Sequence, residues 1–306
     1  MLEWIHQNLP FILAGISVGG QYALIAIGYT MVYGILRLIN FAHGDIFMVS
    51  GVVMVYATTL LTRQFPNNPG VVLVIAILFV IGLTVLIGFC TEKVAYKPLR
   101  SAPRMSVMIS AIGVSYLLQN LSTYVTGGLA QAYPNIPWLR TEIQIGGITV
   151  RRLAILTPVL TILLVIALVI VIKHTKMGMA MRAVAKDFDT AQLMGIRIDR
   201  VISITFVIGS FLAAVGSILY FSYIGQVSPT IGAMPGLKSF VAAVFGGIGS
   251  VPGAVIGSYI IGICETFIKS NQDISIFSNA FTFALLIIIL LIKPNGLFGE
   301  KLKEKV

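Results

Sequence analysis

The chain has 306 residues, of which 57% are hydrophobic and only 10% are charged. Its mean hydropathy is +0.96, whereas in a soluble domain about a quarter of the residues are charged. This composition excludes a water-soluble globular protein. It also makes nucleic-acid binding a poor explanation of the net charge of +10, because basic residues of membrane proteins concentrate in loops.

Uncharged apolar runs recur along the chain and predict helices that cross the membrane. The runs 71–90 and 153–172 have 20 residues each, and 201–224 has 24. At about 1.5 Å per residue, each can span a hydrocarbon layer about 30 Å thick. Lipid leaves no backbone amide satisfied outside a helix or a closed barrel. With similar runs at 9–36, 46–62, 105–129 and 274–292, the sequence predicts an all-α polytopic membrane protein of about 8 to 9 transmembrane segments.

A polar break follows the first run and contains Asn40, His43 and Asp45. Polar side chains at membrane depth are costly unless they are paired or hydrated, so these three are candidates to line a translocation path. A short turn outside the membrane, in which Asp45 caps the next helix, explains them equally well.

Basic residues are concentrated in two loops. Four Lys or Arg residues lie between 91 and 104 and six between 173 and 200, whereas segment 1–8 has none. The positive-inside rule predicts that both loops are cytoplasmic and that the N-terminus is outside. Arg151 and Arg152 oppose this assignment but are outnumbered.

The basic loop 173–200 also has an apolar pattern. Apolar residues recur there at helical spacing: Met181, Val184, Phe188 and Ala191. Asp189 is expected to cap a second short helix that Gly195 terminates. Such helices suit docking into a groove of a partner. Folding back onto the chain's own bundle or onto lipid headgroups is an equally good explanation.

The segment 239–264 is uncharged for 26 residues but has glycines at its middle. A straight helix is therefore unexpected. We expect a membrane hairpin, the alternative being a single broken crossing. Only the hairpin leaves the tail (Lys301, Lys303 and Lys305) on the side of the basic loops. Path lining and close helix packing are equally good explanations of the residues at this break: Gly246, Gly247, Gly249 and Ser250.

The breaks at 40–45 and 246–250 follow spans of opposite direction, which predicts inverted-topology repeats. Glu265 is an isolated charge after the second break, and we expect it to face the bundle interior because lipid exposure is expensive. Its partner is not evident from the sequence. No short repeat or linker divides the chain, so residues 1–306 are expected to form one transmembrane domain.

No enzymatic signature is present. No phosphate-binding loop occurs, and the three histidines, including His43, show neither zinc spacing nor a nucleophile motif. Cys90 and Cys264 lie in apolar segments and are expected to be packing residues. We therefore expect no cofactor and no catalytic residue in this chain.

Four stretches together resemble the permease family of ABC importers for branched-chain amino acids. They occur in order along nearly the whole chain: GYTMVYG with INFAHG at 28–44, the basic run at 178–196, GGIGSVPGA at 246–254, and KPNGLFG at 293–299. The chain is similar to the H-type subunit of that family. Asn295, where relatives usually have Thr or Arg, is a small departure.

The resemblance implies an ABC importer permease fold in a bacterial cytoplasmic (inner) membrane. It implies a heterodimer with a second, M-type permease, two ATPases that hold the ATP, and a periplasmic or lipoprotein substrate-binding protein. Loop 173–200 would be the cytoplasmic coupling loop for the ATPases, with its motif residues Gly178, Arg182, Ala183, Asp187, Ala191 and Gly195 transmitting the ATPase stroke.

The substrate class is less closely defined by the residues themselves. The breaks carry hardly any fixed charge apart from Asp45, and half-helix N-termini can accept a carboxylate without one, so a substrate with a neutral side chain is expected. The resemblance narrows this to branched-chain amino acids. Alternatives are a urea or short-chain amide permease and, less favoured, a self-contained secondary transporter.

Overall fold

The computed structural model describes residues 2–100, 102–145 and 148–299. Eight helices in the described part are long and apolar enough to cross a membrane, which confirms the prediction of an all-α polytopic protein. The helices are α1 (Leu2–Leu36), α2 (His43–Gln64), α3 (Pro69–Thr91), α4 (Arg104–Thr126), α5 (Pro137–Arg140), α6 (Arg152–His174), α7 (Lys176–Lys186), α8 (Phe188–Leu193), α9 (Ile198–Ile224), α10 (Ala233–Gly246), α11 (Val251–Ser270) and α12 (Ser278–Ile292).

Short elements connect these helices. Helix α3 continues into a π-helical turn (Glu92–Tyr96) and a 3-10 turn (Lys97–Leu99). Strands β1 (Gln131–Ala132) and β4 (Gln226–Val227) pair antiparallel, as do β2 (Glu142–Ile145) and β3 (Ile148–Arg151). Tyr133 follows β1, and burial raises the pKa of its hydroxyl, which therefore stays neutral.

The bundle has an inner and an outer layer. In α9, 72% of the most apolar stretch is buried, whereas in α12 only 11% is. Helices α1 and α2 resemble α9 in this respect, while α3, α4 and α6 expose most of their apolar surface. A helix that is apolar on all sides yet exposed in the chain suits contact with lipid or a partner helix. The centre of the molecule is therefore formed by α1, α2 and α9.

Glycines allow α1 and α11 to pack closely in antiparallel orientation. A Cβ added at Gly15 would lie 2.8 Å from Ile263 Cα, and one at Gly19 would lie 2.7 Å from Tyr259 Cα. Small residues let membrane helices approach to backbone contact. The N-terminal half of α1 consequently lies beside the C-terminal half of α11.

The two basic loops lie at the same end of the bundle, which we call the basic end. Arg37, at the end of α1, donates to the carbonyl of Ala185 in α7 at 3.4 Å. Lys97, after α3, pairs with Asp199 in the first turn of α9 at 2.7 Å. The opposite end, which we call the far end, contains the start of α1 and the end of α11.

The segment 239–264 contains most of α10 and α11, which begin and end outside that range. The two helices pack antiparallel around the turn 247–250, where Gly247 and Gly249 have φ of +109° and +97°. Such values favour glycine. A Cβ at Gly257 would overlap the carbonyl of Ala242 across the pair. This close approach explains the glycines of the segment as packing residues.

The predicted correspondence between breaks 40–45 and 246–250 is wrong. After α9 the chain runs through residues 225–232 and then starts a helix inside the bundle, α10. The break at 37–42 likewise precedes a helix that starts inside the bundle, α2. Segment 225–232, rather than 246–250, therefore corresponds to the break after α1. The sequence analysis located the second break within the uncharged run 239–264, but α10 begins before that run, at Ala233.

Candidate translocation path and coupling loop

The break after α1 lies inside the bundle rather than in an exposed turn. Asn40, His43 and Asp45 are 2%, 2% and 3% exposed. His43 packs against Gly28, where an added Cβ would overlap its imidazole. Gly28 precedes the end of α1 by eight residues, or about 12 Å at 1.5 Å per residue. The chain thus turns back into the bundle before α2 begins.

Each of the two flanking polar residues has hydrogen-bond partners. The side-chain oxygen of Asn40 accepts from the Ala42 amide at 3.2 Å and from the Tyr96 hydroxyl at 2.9 Å. Asp45 accepts from the Ser115 hydroxyl and from the Gln119 side-chain amide at 3.0 Å, both in α4. The expectation that Asp45 caps α2 is therefore wrong, because its carboxylate is engaged by a neighbouring helix.

His43 has a different environment. Its ring meets Tyr29 edge-on with centroids 4.9 Å apart, and it hydrogen-bonds the backbone of Ile25. Gly209 of α9 flanks it, since a Cβ there would lie 3.7 Å from the imidazole. Its Nε2 atom is buried with no hydrogen-bond partner among the described residues. A buried polar atom without a partner is costly, and this one lies against Gly28, where the space for an added side chain is filled by the imidazole.

The N-terminal ends of α2 and of the short helix α10 meet at the centre of the bundle. A Cβ at Gly44 would lie 2.9 Å from the Gly232 carbonyl and 3.1 Å from Gly236 Cα. The helix starts have no side-chain caps, with Ala42 and Gly232 at the capping positions. Helix N-termini attract anions through their backbone amides and dipole. The backbones touch, so this meeting point is closed.

The glycines of the second break lie elsewhere, in the turn between α10 and α11 towards the basic end. Ser250 caps α11 by accepting from the Gly253 amide at 3.3 Å. A Cβ at Gly34, near the end of α1, would lie 3.7 Å from Gly249 Cα. Gly246 and Gly247 contact Gly253 and Gly299 respectively. The structure does not bring these residues together with Asn40, His43 and Asp45.

Glu265 is the centre of a buried ionic cluster. Its Oε1 atom contacts Lys238 Nζ at 2.6 Å and Lys269 Nζ at 2.5 Å, and Tyr22 donates to Oε2 at 2.9 Å. The Lys238 and Glu265 side chains are 5% and 1% exposed. The sequence analysis missed Lys238. A single lysine in the apolar helix Ala233–Gly246 was the signal that could have shown it.

A second ionic cluster, which the sequence analysis also missed, lies at the basic end. Glu92 is fully buried, pairs with Arg100 and accepts from the Ser203 hydroxyl at 2.8 Å. Arg100 also pairs with Asp199. The cluster ties the π-helical turn to the first turn of α9. Tyr96 of the same turn donates a hydrogen bond to Asn40 and so fixes the break after α1.

The predicted apolar face of loop 173–200 is turned towards the chain's own bundle. Met181, Val184 and Ala191 are at most 4% exposed and Phe188 is 38% exposed. Ala183 is half-buried against the same core. The most exposed apolar side chains of the loop are Leu193 and Met194, at 87% and 78%, followed by Met179 at 53%.

The remaining motif residues of this loop have local structural roles. Arg182 donates to the carbonyl of Ile172 at the end of α6, and an added Cβ at Gly178 would overlap the same carbonyl. Asp187 caps α8 by accepting from the Thr190 amide at 3.0 Å, so the expected cap, Asp189, is wrong. Gly195 has φ of +80° and ends α8.

Helix N-termini that meet inside a polytopic bundle, with a packed helical loop at its basic end, are typical of membrane transport proteins. The family model described as "Branched-chain amino acid transport system / permease component" matches residues 11–290. The chain belongs to this family, and its fold is that of ABC importer permeases.

Individual relatives match the sequence of this chain over its full length. High-affinity branched-chain amino acid transport system permease protein LivH of Escherichia coli is 39% identical over 309 residues, covering 100% of both chains. BraD of Pseudomonas aeruginosa, named in the same words, is 38% identical and covers 99% of both. A solved metal-chelate type ABC transporter in an inward-facing conformation gives a TM-score of 0.48 at 18% identity, covering 94% of this chain and 90% of that one.

Proposed function

We propose that this chain is the permease subunit of an ATP-driven ABC importer for branched-chain amino acids. The observation that carries the proposal is the 39% identity over the whole chain to a relative named for branched-chain amino acid transport. The N-termini of α2 and α10 meet at Gly44 and Gly232 among apolar helices, and opening of this contact during transport would present two helix N-termini to a carboxylate. Both features suit an amino acid with an apolar side chain.

The direction of insertion follows from charge. The basic end carries both Lys- and Arg-rich loops, so it faces the cytoplasm of a bacterial inner membrane, and the far end faces outward. Residues 1–8 are then outside. The tail containing Lys301, Lys303 and Lys305 is then inside, although residues 300–306 lie outside the described part of the chain. Arg152, at the far end, stacks over Trp138 with its guanidinium 5.8 Å from the ring centroid, an interfacial arrangement compatible with this orientation.

Loop 173–200 is proposed to bind one of two separate ATPases, which hold the ATP. Leu193 and Met194 supply exposed apolar anchors next to each other. Six motif residues maintain the conformation of the loop and its contacts with the bundle: Gly178, Arg182, Ala183, Asp187, Ala191 and Gly195. A movement of the ATPase bound at the anchors is therefore transmitted to α6 and α9. A second, M-type permease completes the path, and a periplasmic or lipoprotein binding protein delivers the substrate. The chain itself binds no cofactor.

The proposal is tested in a bacterial strain that lacks its own branched-chain amino acid uptake and requires leucine. Expressing this chain together with the proposed second permease, ATPases and binding protein should restore growth on micromolar leucine. A catalytically inactive ATPase should abolish the rescue. Growth on urea as nitrogen source without any rescue on leucine would instead assign the chain to urea or amide transport.

A further inference from the structure

The cluster of Tyr22, Lys238, Glu265 and Lys269 has more positive than negative charge. Two lysines share one oxygen of a single glutamate, so the cluster has a net charge of +1. A charge of one sign inside a membrane bundle is expensive unless a counter-ion reaches it. The buried pair Lys238–Glu265 is neutral by itself, so Lys269, whose side chain is 55% exposed, carries the surplus positive charge.

Lys238 also has unused hydrogen-bonding capacity. An ammonium group donates three hydrogen bonds, and in the described part of the chain Glu265 is the acceptor that Lys238 contacts. Both oxygens of Glu265 are occupied, one by the two lysines and the other by Tyr22. The free donors of the cluster therefore belong to its cations, and an incoming anion finds donors ready.

The cluster lies beside an open cavity at the far end. This cavity, about 350 Å³, is lined by Pro10, Phe11, Ala14, Tyr223, Thr266, Lys269 and Ser270. Its size falls at the lower limit of small-molecule sites, which run from about 300 to 1,000 Å³. Lys269 belongs to both the cavity and the cluster, with its side chain 55% exposed. A solute in the cavity thus meets Lys269, and through Glu265 this residue is linked to the buried Lys238.

The position of Lys238 connects the cluster to the candidate path. Lys238 lies on the half-helix α10, two residues after Gly236, which contacts Gly44 of α2. The cluster thus connects the far-end cavity to α10. The N-terminus of this helix contacts α2 and closes the centre of the bundle.

We propose that Lys238 and Lys269 form a receptor for a free carboxylate, with Glu265 as their permanent counter-ion. This inference rests on the proposed function and adds the group of the substrate that is recognised: the carboxylate common to all α-amino acids, which urea and amides lack. It also corrects the sequence-based expectation that the path offers no fixed counter-ion.

The test is equilibrium binding of labelled leucine to the complex purified through this chain and placed in lipid nanodiscs without binding protein. In the wild type, 4-methylpentanoate, which has the carboxylate but no ammonium, should compete, whereas 3-methylbutylamine should not. Lys238→Gln and Lys269→Gln should each weaken binding about tenfold or more, as expected for loss of a charge-assisted hydrogen bond. Lys238→Arg should retain most of it.

The double variant Lys238→Gln/Glu265→Gln separates recognition from structure. The two glutamines keep a neutral hydrogen-bonded pair in place of the ion pair. If the ion pair has only a structural role, this variant should bind leucine as the wild type does. A carboxylate receptor stays defective while the melting temperature of the complex recovers. Wild-type leucine affinity in the double variant, or competition by the amine, would overturn the inference.

Two further measurements distinguish a carboxylate receptor from a lipid-binding site, and a failure of this inference from a failure of the proposed function. Repeating the measurement in zwitterionic and in phosphatidylglycerol nanodiscs tests an anionic lipid headgroup as the occupant. A Lys238 effect confined to the anionic lipid would overturn the inference. If the wild-type complex imports leucine but Lys238→Gln leaves KM unchanged, the receptor is wrong and the proposed function stands. If no branched-chain amino acid is imported, the proposed function fails, while binding of 4-methylpentanoate still tests the cluster.

Discussion

Replacing Leu193 and Met194 by aspartate should detach the ATPase without unfolding the permease. Both side chains project from the end of α8, and at 87% and 78% exposure they make few contacts within the chain. Full burial of one such side chain contributes about 1.5–3 kcal/mol. Losing both anchors should therefore cost about 3 kcal/mol or more, a weakening of binding on the order of a hundredfold.

The assay is quantitative pull-down of the ATPase subunits by the tagged permease, with leucine uptake measured in parallel. Gln192→Asp is the control for charge, with Leu193→Asp alone as its matched partner, because each adds one negative charge at an exposed position of α8 and only the second removes apolar surface. Ala183→Asp is a poorer probe, since Ala183 packs against the bundle and its replacement disturbs the fold. Unchanged ATPase association and uptake in the Leu193→Asp/Met194→Asp variant would refute the assignment of this surface.

Two other predictions concern packing and orientation. Gly28→Val should lower the melting temperature by several degrees and abolish uptake, because its side chain would occupy the place of the His43 imidazole. Gly113→Val, at a position with open space around it, should leave both unchanged, and equal effects of the two would contradict the packing. With the native cysteines replaced, a cysteine at Asn271 should react with an impermeant thiol reagent in intact cells and one at Lys186 should not. The reverse pattern would overturn the orientation.

The sequence predicted the membrane spans well because their signal is local. Twenty uncharged apolar residues must form a helix in lipid, whatever the rest of the chain does. The break at 40–45 was found for a similar reason, since polar residues between two apolar runs stand out. Its depth was not predictable, because it depends on His43 packing against Gly28, a contact between two helices.

The pairing of charges was also beyond the sequence. Lys238 and Glu265 are 27 residues apart, and their contact requires α10 and α11 to fold into an antiparallel pair. The uncharged run used to define the hairpin starts directly after Lys238, so this lysine was not considered as a partner of Glu265. The start of α10 was hidden by Pro235 and Gly236, which suggest a loop, although both are buried in the helix and Gly236 packs against Gly44.

The direction of the apolar face in loop 173–200 could not be decided from the sequence for a related reason. Helical spacing shows that Met181, Val184 and Ala191 share a face, but not whether that face meets the bundle or a partner. In the structure the face is buried within the chain, and exposed side chains outside the periodic pattern, Leu193 and Met194, remain for docking.

The most direct test of the central claim is ATP-dependent uptake by the reconstituted complex with its binding protein in proteoliposomes. Labelled leucine, isoleucine, valine and urea would be supplied in competition. We expect accumulation of all three amino acids, with ATP hydrolysis rising in their presence, and no accumulation of urea. Robust uptake of urea without leucine, or leucine uptake that is independent of ATP, would contradict the account.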